Sequence, residues 1–182
     1  MRYVRRRIAI AALIIGVVAT SGCADINPLG STSTTAPPRQ RPADANDADV
    51  EFLTDVVEHL RQGRALTNAA LDPSVNAGDN VATLASHIEE EDASRVIKMI
   101  ELLQRWGEST PPSPAPVVAN EMDGLRGHAF DAQWAELMLE HHARGEALAQ
   151  RVKRDGSSRL VNNTATGMLV DLGFETATLQ SV

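Results

Sequence analysis

The feature that most constrains this chain is an internal repeat. Asp49–Leu66 aligns without gaps on Asp131–Leu148, with six of eighteen positions identical, and Phe52/Trp134 and Val56/Met138 match in character. A segment written twice in one chain builds one supersecondary unit twice. Apolar residues in each copy recur at three- and four-residue spacing, the period of a helix face packed on a core. Four segments carry that period, predicting helices over about 48–68, 79–107, 129–153 and 158–180, and no segment alternates as a strand would. Gly78, Gly107, Gly127 and Gly156 fall near the predicted ends, where glycine punctuates helices. The expectation is an all-α, ferritin-like four-helix bundle made of two duplicated helical hairpins. It occupies residues 48–182, with a Pro-rich connection at 108–120 that cannot be helical.

Each copy also places polar groups inside its apolar stripe. Phe52, Val56, His59, Gly63 and Leu66 are spaced 4, 3, 4, 3, as are Trp134, Met138, His141, Gly145 and Leu148. One histidine therefore sits mid-stripe in each half. A glycine follows four residues later, at a cost of about 1 kcal/mol against alanine in a helix. Its reuse points to close packing or to room for something. The second and fourth segments show matching stripes, Ile88, Asp92, Arg95, Met99 and Met168, Leu172, Glu175, Leu179. The layer facing the histidines is then expected to hold Asp92, Arg95 and Glu175. Buried charges must pair, titrate or hold an ion. Without a metal, Arg95 is expected to bond Glu175 in a two-point contact, with Asp92 alongside.

At these residues the chain resembles the family of domain of unknown function 305. That family's pattern in each half is, loosely, an Asp, a Phe, Met-x-x-His-His, then Gln-x-x-Glu-Ile-x-x-Met on the next helix. Phe130-Asp131 and Met138-Leu-Glu-His141-His142 match it in the second half, and Asp49, Phe52 and His59 in the first, where Leu60 replaces the second histidine. On the following helices Asp92 stands for Gln and Arg95 for Glu, while Met99 fits. In the other half Leu172 stands for Gln, Glu175 fits and Leu179 replaces Met. The resemblance spans about residues 48 to 180 and implies a ferritin-like bundle in the cell envelope, with copper or another metal suspected for some relatives.

The metal reading uses His59, His141, His142, Met138, Met99 and Glu175. Thioether and imidazole together suit copper, above all Cu(I). Set against it, core histidines can simply bond buried carboxylates while methionines fill gaps. The alternative function is a non-catalytic envelope protein that binds a protein partner, its metal site degenerated into a buried ion-pair network; Glu89-Glu-Glu-Asp92 would serve as an acidic patch. An enzyme is not expected. No Glu-x-x-His of a di-iron bundle, no Gly-rich phosphate loop and no nucleophile elbow occurs. His87 and His128 read as surface residues.

The N-terminus has the form of an export signal. Arg2, Arg5, Arg6 and Arg7 precede Ile8–Thr20, thirteen uncharged residues, shorter than the roughly 20 needed to span a bilayer. Thr20-Ser21-Gly22-Cys23 then looks like a bacterial lipobox, and Cys23 is the only cysteine in the chain. The expectation is a signal peptide over 1–22, exported by the general or the twin-arginine route. A lipidated Cys23 opens a disordered tether to residue 47, so the protein is held by its lipid on the extracytoplasmic face of the cell membrane. Removing the four arginines of the signal leaves 13 basic against 24 acidic side chains, a net charge of −11. That balance argues against nucleic acid and anionic lipid surfaces as partners.

Overall fold

A computed structural model describes residues 40–112 and 120–182, which form four helices. The signal segment, Cys23 and residues 113–119 of the Pro-rich connection lie outside the described residues. Helix α1 spans Asp47–Leu71, α2 Asp79–Trp106, α3 Gly127–Asp155 and α4 Arg159–Leu179. Each lies within a few residues of its predicted span, and short 3-10 turns at Pro73–Val75 and Asn120–Met122 precede α2 and α3. Among the described residues no helix is long and apolar enough to cross a membrane.

Local chemistry sets the ends. Asn46 and Asp49 form a reciprocal cap at the start of α1, each side chain accepting from the other's backbone N–H. Helix α2 stops at Gly107, whose φ of 77° is the left-handed conformation that closes helices. Ser158 caps α4 through Val161. Residues 40–46 of the expected tether are described, and Arg41 ties them to the bundle through Glu108 and Asp47, both at 2.6 Å.

The chain makes two hairpins, α1 with α2 and α3 with α4, joined where α1 packs on α3. Helices α1 and α3 run antiparallel: Asp55 bonds Arg151, while Trp134 Nε1 donates to the Leu66 carbonyl at 2.9 Å. The repeated aspartates tie each hairpin to the other. Asp131 at the start of α3 accepts from Gly78 N–H, where α2 begins. Asp49 at the start of α1 accepts from Ser157 and Ser158 N–H, where α4 begins. Each aspartate reaches into the other hairpin, Asp49 while also capping its own helix, so the two copies lock reciprocally.

The core has two apolar clusters. Phe52, Leu53, Val56, Met99, Leu103, Val161 and Met168 fill one end, and Leu66, Val81, Ile88, Phe130, Trp134, Met138 and Leu179 the other. Between them lies a buried polar belt.

Candidate metal centre

Stripe geometry brings the repeated histidines to the middle of the bundle. His59, His141 and His142 are 6 %, 4 % and 3 % exposed, as the sequence predicts, while His87 and His128 are on the surface. The His59 and His141 rings stack face to face, with centroids 3.8 Å apart and planes 9° apart. Each ring edge enters the space left by the glycine of the other copy. A Cβ on Gly63 would collide with His141 Nε2, and one on Gly145 would lie 2.7 Å from His59 Nε2. The repeated glycines are therefore room for the partner histidine.

Both Nε2 atoms are buried and have no hydrogen-bond partner among the described residues. Burial, then the nearby Arg144 and His142, pushes the His59 pKa down to about 4. Burial, then His59, pushes His141 lower still. Both rings are neutral at ordinary pH, and at most one nitrogen of each carries hydrogen.

His142 is placed differently. Its Nε2 lies 3.3 Å from Glu175 Oε2, and its Nδ1 lies 3.5 Å from the Thr176 hydroxyl. Burial lowers His142 to about 4 and raises Glu175 to about 7, the latter helped by Asp92. Burial disfavours charge on both sides, so below about pH 7 a protonated Glu175 carboxyl can donate to the neutral His142 ring.

The expected contact between Arg95 and Glu175 is corrected. Arg95 reaches Asp171 at 2.6 Å, Asp92 at 3.3 Å and Glu91 at 3.6 Å. Asp171 sits one turn before Glu175 on α4, nearer the surface, where a guanidinium keeps part of its hydration. Glu175 points deeper and takes His142 instead. Asp92, its pKa raised to about 7 by burial against the pull of Arg95, stays beside the arginine.

The six expected donors do not meet at one point. Met99 belongs to one apolar cluster and Met138 to the other, and His142 and Glu175 satisfy each other. Among the described residues no three His, Cys, Asp or Glu side chains gather as a metal site. Imidazole lone pairs lie in the ring plane, so stacked rings cannot share an ion between their faces; an ion must bind at an edge. One edge has a soft neighbour. The Cβ position of Gly145 that is 2.7 Å from His59 Nε2 is 3.1 Å from Met168 Cε. Met168 belongs to the α4 stripe but not to the expected donor set, and its counterpart in the first copy, Ile88, carries no thioether. An unpartnered neutral imidazole beside a thioether fits a soft monovalent cation.

Comparison with known proteins follows the same lines. The model of a family described as domain of unknown function (DUF305) matches residues 49–182. Comparison with curated proteins returns no significant match. Among solved structures, CopM in the Cu(I)-bound form aligns with a TM-score of 0.63 at 16 % identity, over 73 % of this chain and 93 % of that one. CopM in a silver-bound form gives 0.62 at 16 % identity, over the same shares. A protein from Streptomyces coelicolor described as a secreted DUF305 protein gives 0.63 at 22 % identity, over 76 % and 90 %. At these identities the likeness establishes the fold.

Proposed function

The chain belongs to the DUF305 family, and on that premise we propose that it is an exported, lipid-anchored bundle that binds a soft monovalent metal ion, copper(I) foremost. One observation carries this reading: His59 Nε2 is buried, neutral and, among the described residues, unpartnered at a notch it shares with Met168. A buried nitrogen without a partner costs about 1–3 kcal/mol, and a ligated ion would offset that cost. His59 and Met168 would hold the ion, and the stacked His141 ring orients His59. Two-donor imidazole–thioether sites suit Cu(I), whose soft character favours sulfur. CopM, the structural neighbour solved with Cu(I), Cu(II) and silver, supports the choice of metal.

Competitive titration of the purified protein with Cu(I) and Ag(I) tests the reading. About one equivalent binds, and His59→Gln and Met168→Leu each weaken binding at least about tenfold. His142→Gln has little effect. Binding that is equal in wild type and His59→Gln overturns the assignment.

The anchor has its own support in the lipobox-like Thr20-Ser21-Gly22-Cys23 and the absence of any second cysteine. The neighbour described as secreted agrees with export. Cells fed a labelled fatty acid incorporate it into the wild-type protein, and Cys23→Ala releases unlabelled protein from the membrane. Equal labelling of Cys23→Ala contradicts the anchor.

A second reading rests on a different observation. Helix α4 exposes Val170 and Phe174, 66 % and 67 % accessible, one turn apart. That pair and the Arg95 ion-pair cluster suit a non-catalytic envelope module that binds a protein partner, in which the polar belt is only structural. Failure of metal binding in wild type would favour it.

A further inference from the structure

Helices α2 and α4 pack against one another only marginally, and a cavity of about 660 Å³ opens between them. Its floor is apolar and includes Leu53, Met99, Leu102 and Met168. Arg95 of α2 reaches Asp171 of α4 at 2.6 Å, tying the two walls together. Met168 is the residue that the groove and the buried belt share. It is buried just beneath the groove floor, only 1 % exposed, and its methyl group touches the notch at Gly145 where His59 Nε2 ends. Met99, from the opposite wall, adds a second thioether to the same floor.

From this juxtaposition we infer that the α2–α4 groove is the entry path by which a soft cation reaches His59, with Met168 as the relay between groove and belt. The inference rests on the metal reading above and adds a route to it. His59 is enclosed by the bundle, so an ion must pass some side chain to arrive. Met168 offers sulfur at that passage, whereas Ile88, its counterpart in the other half, offers none. Exchange between thioether ligands is fast for soft monovalent ions, so a methionine floor passes an ion inward without trapping it.

Gly167 keeps the passage open. It lines the groove, and a Cβ there would meet no atom within 4 Å. A Cβ at this position therefore meets no neighbour, so a large side chain can be built from the groove lining, and it replaces a helix-weakening glycine. Gly173 is equally open on α4 but does not line the groove, so it provides the matched control.

The experiment uses the full-length chain, its Gly167→Phe and Gly173→Phe variants, Ag(I) as the probe ion and dilute peroxide as a metal-free probe. Melting curves confirm that both variants fold. Silver uptake by stopped flow is expected to slow at least about tenfold in Gly167→Phe, with the equilibrium constant within about threefold of wild type. Gly173→Phe behaves as wild type. All three are buried, but Met168 and Met99 border the groove and Met138 does not, so without metal peroxide is expected to oxidise the first two faster than Met138, and Gly167→Phe protects Met168. If Met168 reacts no faster than Met138, or if wild type binds silver and Gly167→Phe takes it up equally fast, the route is overturned while the metal reading stands. If wild type binds no silver, both fall.

Discussion

His59 and His141 stack at 3.8 Å across the α1–α3 interface, each ring edge seated against the glycine of the other copy. The two halves of the repeat thereby share one centre, and neither hairpin can complete its own polar belt. The aspartate ties follow the same logic, Asp49 holding the start of α4 and Asp131 the start of α2.

Gly63→Ala and Gly145→Ala should each destabilise the bundle by about 1–3 kcal/mol, despite alanine's better helix propensity, because a methyl group strikes the opposite imidazole. His141→Ala should restore much of the Gly63→Ala loss, and His59→Ala much of the Gly145→Ala loss. Chemical denaturation of the four singles and two doubles gives the coupling. Additive effects within each pair would show that the rings have other room.

Asp49 and Asp131 should rank differently. Asp49 is fully buried and accepts from three backbone N–H groups, of Asn46, Ser157 and Ser158. Asp131 accepts from Gly78 alone. Asp49→Ala is expected to cost about 3 kcal/mol and Asp131→Ala nearer 1–2 kcal/mol. A reversed order in denaturant midpoints would contradict these ties.

Four helices, their ends and the interior position of both histidines were legible in the sequence, because period and glycine punctuation are local signals. That Gly63 and Gly145 make room was legible too, but what they make room for was not. The repeat shows that they recur, but only the antiparallel pairing of α1 and α3 shows that each faces the other copy's ring. The partner of Arg95 was missed for a related reason. Stripe spacing assigned it to Glu175, whereas packing turns Glu175 to His142 and leaves Arg95 to Asp171, one turn away. Met168 was legible as part of the α4 stripe, but its place beside the Gly145 notch depends on how α4 packs on α3.

Arg95 and Asp171 should couple weakly, by about 0.5–1 kcal/mol, since the Asp171 carboxylate is 40 % exposed and solvent screens the pair. A double-mutant cycle with Arg95→Met and Asp171→Asn measures this. The same cycle with Glu175→Gln should give a smaller term. A larger coupling to Glu175 would restore the contact that the stripe spacing predicts.

Stability should pass through a maximum near neutral pH. His59 and His142 titrate near 4 when folded and near 6.5 when unfolded, so their contribution is complete above 6.5 and is lost as pH falls towards 4. Glu175 behaves oppositely: its folded pKa of about 7 exceeds the unfolded 4.5, so its contribution is present below 4.5 and lost as pH rises through 7. Glu175→Gln should therefore gain on wild type by about 1–3 kcal/mol between pH 5 and pH 7.5. Parallel stability curves for the two proteins would mean that Glu175 is ionised in the fold.

The central claim, that His59 Nε2 is the available donor in the belt, is tested most directly by the imidazole nitrogens themselves. Long-range proton–nitrogen NMR on 15N-labelled protein should show the His59 Nε2 signal moving with the first equivalent of Ag(I), while the ring nitrogens of His142 stay in place. Unchanged His59 nitrogens at full silver occupancy, or a first shift at His142, would contradict the account.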